Sequence, residues 1–254
     1  MTAPRLRAPI VLVHGLLGFD RVKMGPWVVA SYFRGIPEAL RAAGNRVFVA
    51  SLPPTRGIAD RAAALKELID RESPHEPVHV FGHSMGGLDA RYLIARLGMA
   101  ERVLSLTTLG TPHRGCPFAD WGVRRLGRFL TPLLNFAGLP YQAFHDLTVE
   151  RCRDFNRDTP DAPGVRYFSV AGRFARTWLA PEWQLPARIV ERAEGDNDGI
   201  VSVTSATYGE SCEVWDGDHI NLVNWRHPWA PAERQADRVQ HYAALVGRLA
   251  DEGF

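Results

Sequence analysis

Val78-His79-Val80-Phe81-Gly82-His83-Ser84-Met85-Gly86-Gly87-Leu88-Asp89-Ala90-Arg91-Tyr92-Leu93-Ile94 is the stretch whose reading decides the fold. Residues 78–81 form a short apolar run, the pattern of a buried strand. From Leu88 to Arg96 the pattern becomes that of a helix. Between them stands Gly82-x-Ser84-x-Gly86, the spacing of a sharp strand-to-helix turn with an exposed central hydroxyl. Such a turn pushes its central residue into a strained backbone region. The residues two positions away must then lack side chains that would collide. The following amide, Met85 N–H, falls at a helix start, where developing negative charge is favoured.

Working back toward the N-terminus, Ile10-Val11-Leu12-Val13-His14 is a continuous apolar run, expected as a strand buried on both faces of a parallel sheet. It stops at Gly15-Leu16-Leu17-Gly18-Phe19, a loop at the sheet edge where open α/β sheets place ligands. The Leu16 N–H is a candidate second donor to an oxyanion. His14 is expected to pin this loop by hydrogen bonding. Residues 31–43 are expected to be helical, Arg46–Ala50 a strand, and Gly57–Arg71 a helix on the spacing Ile58, Ala62, Leu65, Leu68, Ile69.

Toward the C-terminus, Arg102–Leu109 is the fourth strand, closed by Gly110-Thr111-Pro112. Four alternations of strand and helix give an α/β chain with a mostly parallel, doubly wound sheet. No clear strand follows between His113 and about Asp161. There Leu126, Phe129, Leu130, Leu133 and Leu134 form a helical stripe. Pro132 sits within it, so two short helices are expected, the second capped by Thr131. Residues 113–161 are expected to form a helical cap over the site, with 118–137 as a lid. Gly164–Ala171 returns to strand, a loop rich in Pro, Trp and Arg runs to about Glu194, Glu213-Val214-Trp215 is a final strand, and Pro231–Asp251 is the last helix.

The totals exclude several classes. The chain has 254 residues, 46% apolar and 23% charged, with net charge +2. That suits one domain with a good core and gives no argument for nucleic acid. Lysine occurs only at Lys23 and Lys66, and the arginines are scattered. Three cysteines, Cys116, Cys152 and Cys212, allow at most one disulfide, Cys152–Cys212 among the options, and no spacing suggests a metal site. No run of 18 apolar residues occurs. With the first strand beginning near Ile10, residues 1–9 are too short for a secretory signal, and the expected location is cytoplasmic.

A serine hydroxyl at pH 7 needs a base. In the strand–turn–helix context the order is Ser, then Asp or Glu, then His. Of nine histidines, His219, His227 and His241 follow a plausible acid. His241 falls off the last helix's apolar stripe and should be solvated, and His227 precedes Pro228 in a loop. His219, in Asp216-Gly217-Asp218-His219-Ile220-Asn221, lies just past the final strand and is the expected base. The acid should follow the strand ending at Ala171. Asp198 in Gly195-Asp196-Asn197-Asp198-Gly199-Ile200-Val201 is the choice, with Asp196 second.

These residues together resemble the bacterial true lipases of the α/β-hydrolase superfamily, typified by the Pseudomonas and Burkholderia enzymes. The carrying motifs are residues 9–20, residues 82–87, Leu109-Gly110-Thr111-Pro112-His113-Arg114-Gly115, Asn197-Asp198-Gly199-Ile200-Val201 and Asp218-His219-Ile220-Asn221. The resemblance implies the α/β-hydrolase fold and carboxylic-ester hydrolysis on lipid or short acyl esters. It implies Ser84, Asp198 and His219 as triad, with Leu16 and Met85 amides as oxyanion hole. That family holds a structural calcium near its histidine, with an aspartate two residues after it. Asn221 stands at that position here, so no metal or cofactor is expected. An acyltransferase with the same triad and a non-catalytic module on the same fold are the alternatives.

Overall fold

The computed structural model describes residues 3–16, 18, 21–24, 27–125, 141–175, 180–226 and 237–254. Six strands form one parallel sheet: β1 (Ile10–Val13), β4 (Val47–Val49), β5 (Val78–His83), β6 (Val103–Leu109), β7 (Arg166–Arg173) and β8 (Ser211–Asp216). Their order is β4-β1-β5-β6-β7-β8. The chain leaves β1 toward β4, then returns across β1 to lay down β5. The order therefore reverses between β1 and β5, which is where an open parallel sheet offers its crevice.

Parallel strands buried on both faces need apolar residues at successive positions, and β1 has them: Ile10, Val11, Leu12 and Val13 are all fully buried. Their alternation divides the core into two layers. Ile10 and Leu12 pack with Phe33, Ile36 and Leu40 around α1 (Ile36–Ala42) and with Tyr242, Val246 and Leu249 of α9 (Arg238–Asp251). Val11 and Val13 pack with Ala62, Leu65 and Ile69 of α2 (Ile58–Glu72) and Ala90, Leu93 and Ile94 of α3 (Met85–Arg96). Each fully buried Leu or Ile in these layers contributes about 1.5–3 kcal/mol.

The expected strand–helix alternation is present, with boundaries that differ in instructive places. Ser31, expected to open a helix, is instead the last residue of β3 (Trp27–Ser31), paired antiparallel with β2 (Arg21–Met24). The helix expected over 31–43 begins only at Ile36, because Gly35 takes a left-handed φ of 73°. The stretch expected as loop up to Glu194 contains α7 (Gln184–Glu194). Pro186 does not break it: it lies in the first turn, where a missing N–H leaves no hydrogen bond unmade. A short helix α8 (Val203–Ala206) was not foreseen. Ser202 caps it by accepting from the Ser205 N–H.

Between β6 and β7 no strand occurs among the described residues. Helix α4 (117–125), α5 (Tyr141–Asp146) and α6 (Val149–Asp158) lie in this stretch. Cys116, Ala119, Leu147 and Cys152 from this segment pack with Met85 and Leu88 of α3. The two short helices expected around Thr131, with their apolar stripe, lie outside the described residues, as do His227 and the first turns of the helix expected from Pro231. The three cysteines are all free, so Cys152 and Cys212 form no bridge. No described helix is long and apolar enough to cross a membrane.

Candidate active site

Strand β5 runs through Gly82 and His83, and α3 starts at Met85, so the whole reversal falls on Ser84. Its φ of 54° and ψ of −129° make it one of two non-glycine residues with positive φ among those described. The turn tolerates no side chain on either flank. A Cβ on Gly82 would lie 2.7 Å from the Gly87 backbone, and one on Gly86 would lie 2.6 Å from the Val13 carbonyl. Ser84 occupies the N-cap position of α3, where a serine oxygen normally accepts a backbone N–H. Here it makes no such bond. The strained backbone turns the hydroxyl away from the helix amides and against the β1 loop. A Cβ built on Gly15 would meet Ser84 Cβ at 2.7 Å and Oγ at 3.2 Å.

Asp198 and His219 meet at the ends of β7 and β8. His219 Nδ1 donates to Asp198 Oδ2 at 2.7 Å, and the His219 amide donates to the Asp198 carbonyl at 2.8 Å. Asp198 is fully buried, and its Oδ1 also accepts the Ile200 and Val201 amides at 3.0 and 2.8 Å. With Nδ1 committed as donor, Nε2 is the ring's free acceptor. Asp196 is exposed and holds no histidine. Asp218 instead accepts the Asn221 amide at 2.9 Å, closing its own turn. The Trp183 and His219 rings meet in a T-shaped arrangement, their centres 6.4 Å apart. Ser84 Oγ makes no hydrogen bond among the described residues; a serine–histidine bond in a ligand-free site is commonly long and tightens with substrate.

The amides of Leu16 and Met85 donate to no described acceptor. Leu16 lies within the turn closed by the Gly18 amide donating to the Gly15 carbonyl at 3.2 Å, and Met85 opens α3. A narrow, apolar cavity of about 20 Å³ opens at Ser84, lined by Pro112, Cys116, Ala119, Phe144, Leu147, Ile200 and Val201. The larger groove of about 500 Å³ lies elsewhere, between the start of α2 and α6, among Asp60, Arg96, Arg151 and Asp154. It contains neither Ser84 nor His219.

Several polar groups lie behind the site, and of them only His14 is expected from the sequence. His14 is fully buried; it donates from Nδ1 to the Gly15 carbonyl at 2.8 Å and accepts the Leu52 amide at Nε2 at 3.0 Å. Burial first, and the Arg61 charge with it, lowers its pKa to about 4. Both nitrogens are engaged, as expected of a loop pin. Arg61 and Asp89, both without exposure, pair at 2.8 Å. Arg61 also donates to the His14 carbonyl at 2.6 Å and to the Pro53 carbonyl at 3.0 Å. This ties the end of β1 to α2 and α3. One signal existed for Arg61: it falls on the apolar face of α2, between Ile58 and Leu65. His241, expected to be solvated, is instead half-buried with its ring 4.7 Å from that of Trp215.

A structural cation beside His219, which the resemblance implies, does not fit these residues. Asn221 Oδ1 accepts from Arg238 Nη2 at 2.7 Å, and the Asp216 carbonyl accepts from the same nitrogen. A guanidinium already sits where a cation would have to bind, and two positive charges there would repel. No cluster of three or more His, Cys, Asp or Glu side chains able to hold a metal occurs among the described residues.

Comparison with known proteins agrees with the geometry. The family model for the alpha/beta hydrolase fold matches residues 8–138. Triacylglycerol lipase 2 of Saccharomyces cerevisiae is 29% identical, over 97% of this chain and 92% of the yeast protein. The triacylglycerol lipase of Vibrio cholerae is 35% identical, over 86% of this chain and 80% of its own length. The mature Bacillus licheniformis lipase has the same fold, with a TM-score of 0.70 and 22% identity, over 96% of this chain and 92% of that one.

Proposed function

This chain belongs to the α/β-hydrolase family and is a serine ester hydrolase, and we propose that Ser84, Asp198 and His219 carry its reaction on lipid-like acyl esters. Ser84 Oγ attacks the ester carbonyl while His219 Nε2 takes its proton. Asp198 keeps the imidazole in the Nδ1–H tautomer and stabilises the imidazolium. The amides of Leu16 and Met85 receive the oxyanion, each worth on the order of 3 kcal/mol in the transition state. His219 returns the proton to the leaving alcohol, leaving an acyl-enzyme. Water activated by the same imidazole then releases the acid.

The observation that carries this reading is the conjunction at one sheet edge: a serine held at a φ of 54°, preceded by His83, whose Nε2 donates at 3.0 Å to the carbonyl of His219, itself bonded to buried Asp198 at 2.7 Å. The apolar lining of the cavity at Ser84 supports the apolar end of an acyl group as what faces it. The yeast and Vibrio relatives carry the name triacylglycerol lipase, which supports lipid esters as the substrate class. The test is Ser84→Ala on a p-nitrophenyl ester, with a fluorophosphonate probe in parallel. Turnover and labelling should both vanish while the circular dichroism spectrum is kept. A folded variant that still turns over ester would refute the assignment.

A further inference from the structure

Loop 216–224 carries His219 from the end of β8 into the site, and one side chain from outside the loop binds it at several points. Arg238, the first residue of α9, is 1% exposed. Its Nη2 donates to the Asp216 carbonyl and to Asn221 Oδ1, on either side of His219 in sequence. Its own amide donates to Asn224 Oδ1 at 2.9 Å, where Asn224 turns the loop through a left-handed φ of 69°. Nη1 reaches His241 Nε2 at 3.2 Å, and the guanidinium lies 5.2 Å from the centre of the Trp215 ring. The negative groups nearest to it include Asp216 and Asp218.

A buried guanidinium needs acceptors for its donors, and Nη1 and Nη2 find them while Nε has none among the described residues. Here the acceptors are loop oxygens of the kind a hard cation binds: a backbone carbonyl and a side-chain amide. The planar fork lets one nitrogen join two oxygens that a point charge would have to gather from a sphere of ligands. We infer that Arg238 is the resident cation of this loop and a positioning residue for His219, so that the loop's geometry needs no divalent metal. The inference rests on His219 acting as the base.

Two experiments test it. In the first, the wild-type protein is dialysed against EDTA and then given calcium chloride. Its Tm and its rate on a p-nitrophenyl ester should be the same in all three states. A Tm that falls on chelation and recovers with calcium overturns the inference, whatever the rate does. In the second, Arg238→Met keeps the apolar stem and removes the fork, while Arg238→Lys keeps the charge. A misplaced base costs turnover rather than binding, so Arg238→Met should lose about 10- to 100-fold in kcat with KM within about twofold. Arg238→Lys should recover part of that loss. A folded Arg238→Met with unchanged kcat sinks the inference. If Arg238→Met does not fold, Arg238→Lys and the chelation arm decide. A wild-type protein that hydrolyses no ester defeats the reading of the site itself; one that does so with a calcium-responsive Tm defeats only the role of Arg238.

Discussion

The rings of His83 and His219 lie 4.6 Å apart, and His83 Nε2 donates to the carbonyl of His219 at 3.0 Å. His83 is the residue before Ser84, so the turn that lifts the nucleophile also grips the loop that carries the base. The other ring nitrogen continues the chain. Tyr32 donates its hydroxyl hydrogen to His83 Nδ1 at 2.7 Å, and its oxygen accepts the Gly15 amide at 3.1 Å. This assignment is consistent throughout with a neutral imidazole. Burial and the neighbouring His219 hold the His83 pKa well below its usual value, and burial raises the Tyr32 pKa to about 12. Three segments from distant parts of the chain are thus joined by one file of hydrogen bonds.

Tyr32→Phe removes both bonds at the middle of that file while keeping the ring. The Gly15 amide and His83 Nδ1 lose their partner, for a stability cost of about 1–3 kcal/mol. The β1 loop also loses its anchor beside Ser84. The expected result is about a tenfold lower kcat with little change in KM, because the geometry of the site is disturbed and not its capacity to bind substrate. Steady-state kinetics on a soluble ester with a thermal melt of the same sample would show it. Unchanged kcat in a destabilised variant would reduce Tyr32 to a packing residue.

Acid should unfold this protein earlier than its carboxylates alone would dictate. His14 and His79 are fully buried, and burial chiefly lowers each pKa from 6.5 to about 4. His83 and His113 are held lower than usual by the same cause. Between pH 6.5 and 4 the unfolded chain binds protons at these sites and the folded chain does not. Stability is therefore complete above about pH 6.5 and falls as pH drops through that window, at about 1.4 kcal/mol per unit for each such histidine. Urea midpoints measured from pH 8 to pH 4.5 should decline steadily below 6.5. A flat profile across that range would refute the neutral, buried assignment.

The Arg61–Asp89 pair makes a prediction about non-additivity. Arg61→Met leaves a buried Asp89 carboxylate uncompensated and frees the His14 carbonyl, so it should cost about 3–5 kcal/mol. Replacing both residues by apolar ones of similar size should cost less than the arginine change alone. Denaturant titrations of the two single variants and the double variant would measure this. A double variant that simply sums the single losses would mean the pair does not act as a unit.

Chain-length preference should follow the cavity at Ser84. At about 20 Å³ it holds little more than a methyl-sized group in this conformation. Phe144→Ala or Leu147→Ala opens its wall. Either variant should raise kcat/KM for octanoyl relative to acetyl p-nitrophenyl esters, by about 10-fold or more, since each buried methylene is worth roughly 1–3 kcal/mol in a fitted pocket. A preference unchanged by both substitutions would place the acyl chain elsewhere.

Much of this arrangement was legible along the sequence. The apolar runs at residues 10–13 and 78–81 are local patterns, and a local pattern suffices to distinguish a buried strand from a helix. The Gly82-x-Ser84-x-Gly86 spacing also works locally, because the strain it relieves is confined to one turn. The misread stretches were those where a local signal had two meanings. Pro186 reads as a breaker in isolation and is harmless in a first turn. Ser31 reads as a helix start, and only the pairing of residues 27–31 with Arg21–Met24 makes it the end of a strand.

The sequence by itself determined the parallel α/β order and the position of the turn at Ser84, because each depends on residues within a few positions of one another. Only the tertiary structure decided what surrounds them: Tyr32 between Gly15 and His83, Arg61 behind His14, and Arg238 beneath His219. Those contacts join residues 17 to 51 positions apart. They form when the sheet brings separate loops to one edge, and a buried polar group then bonds whichever partner that packing supplies.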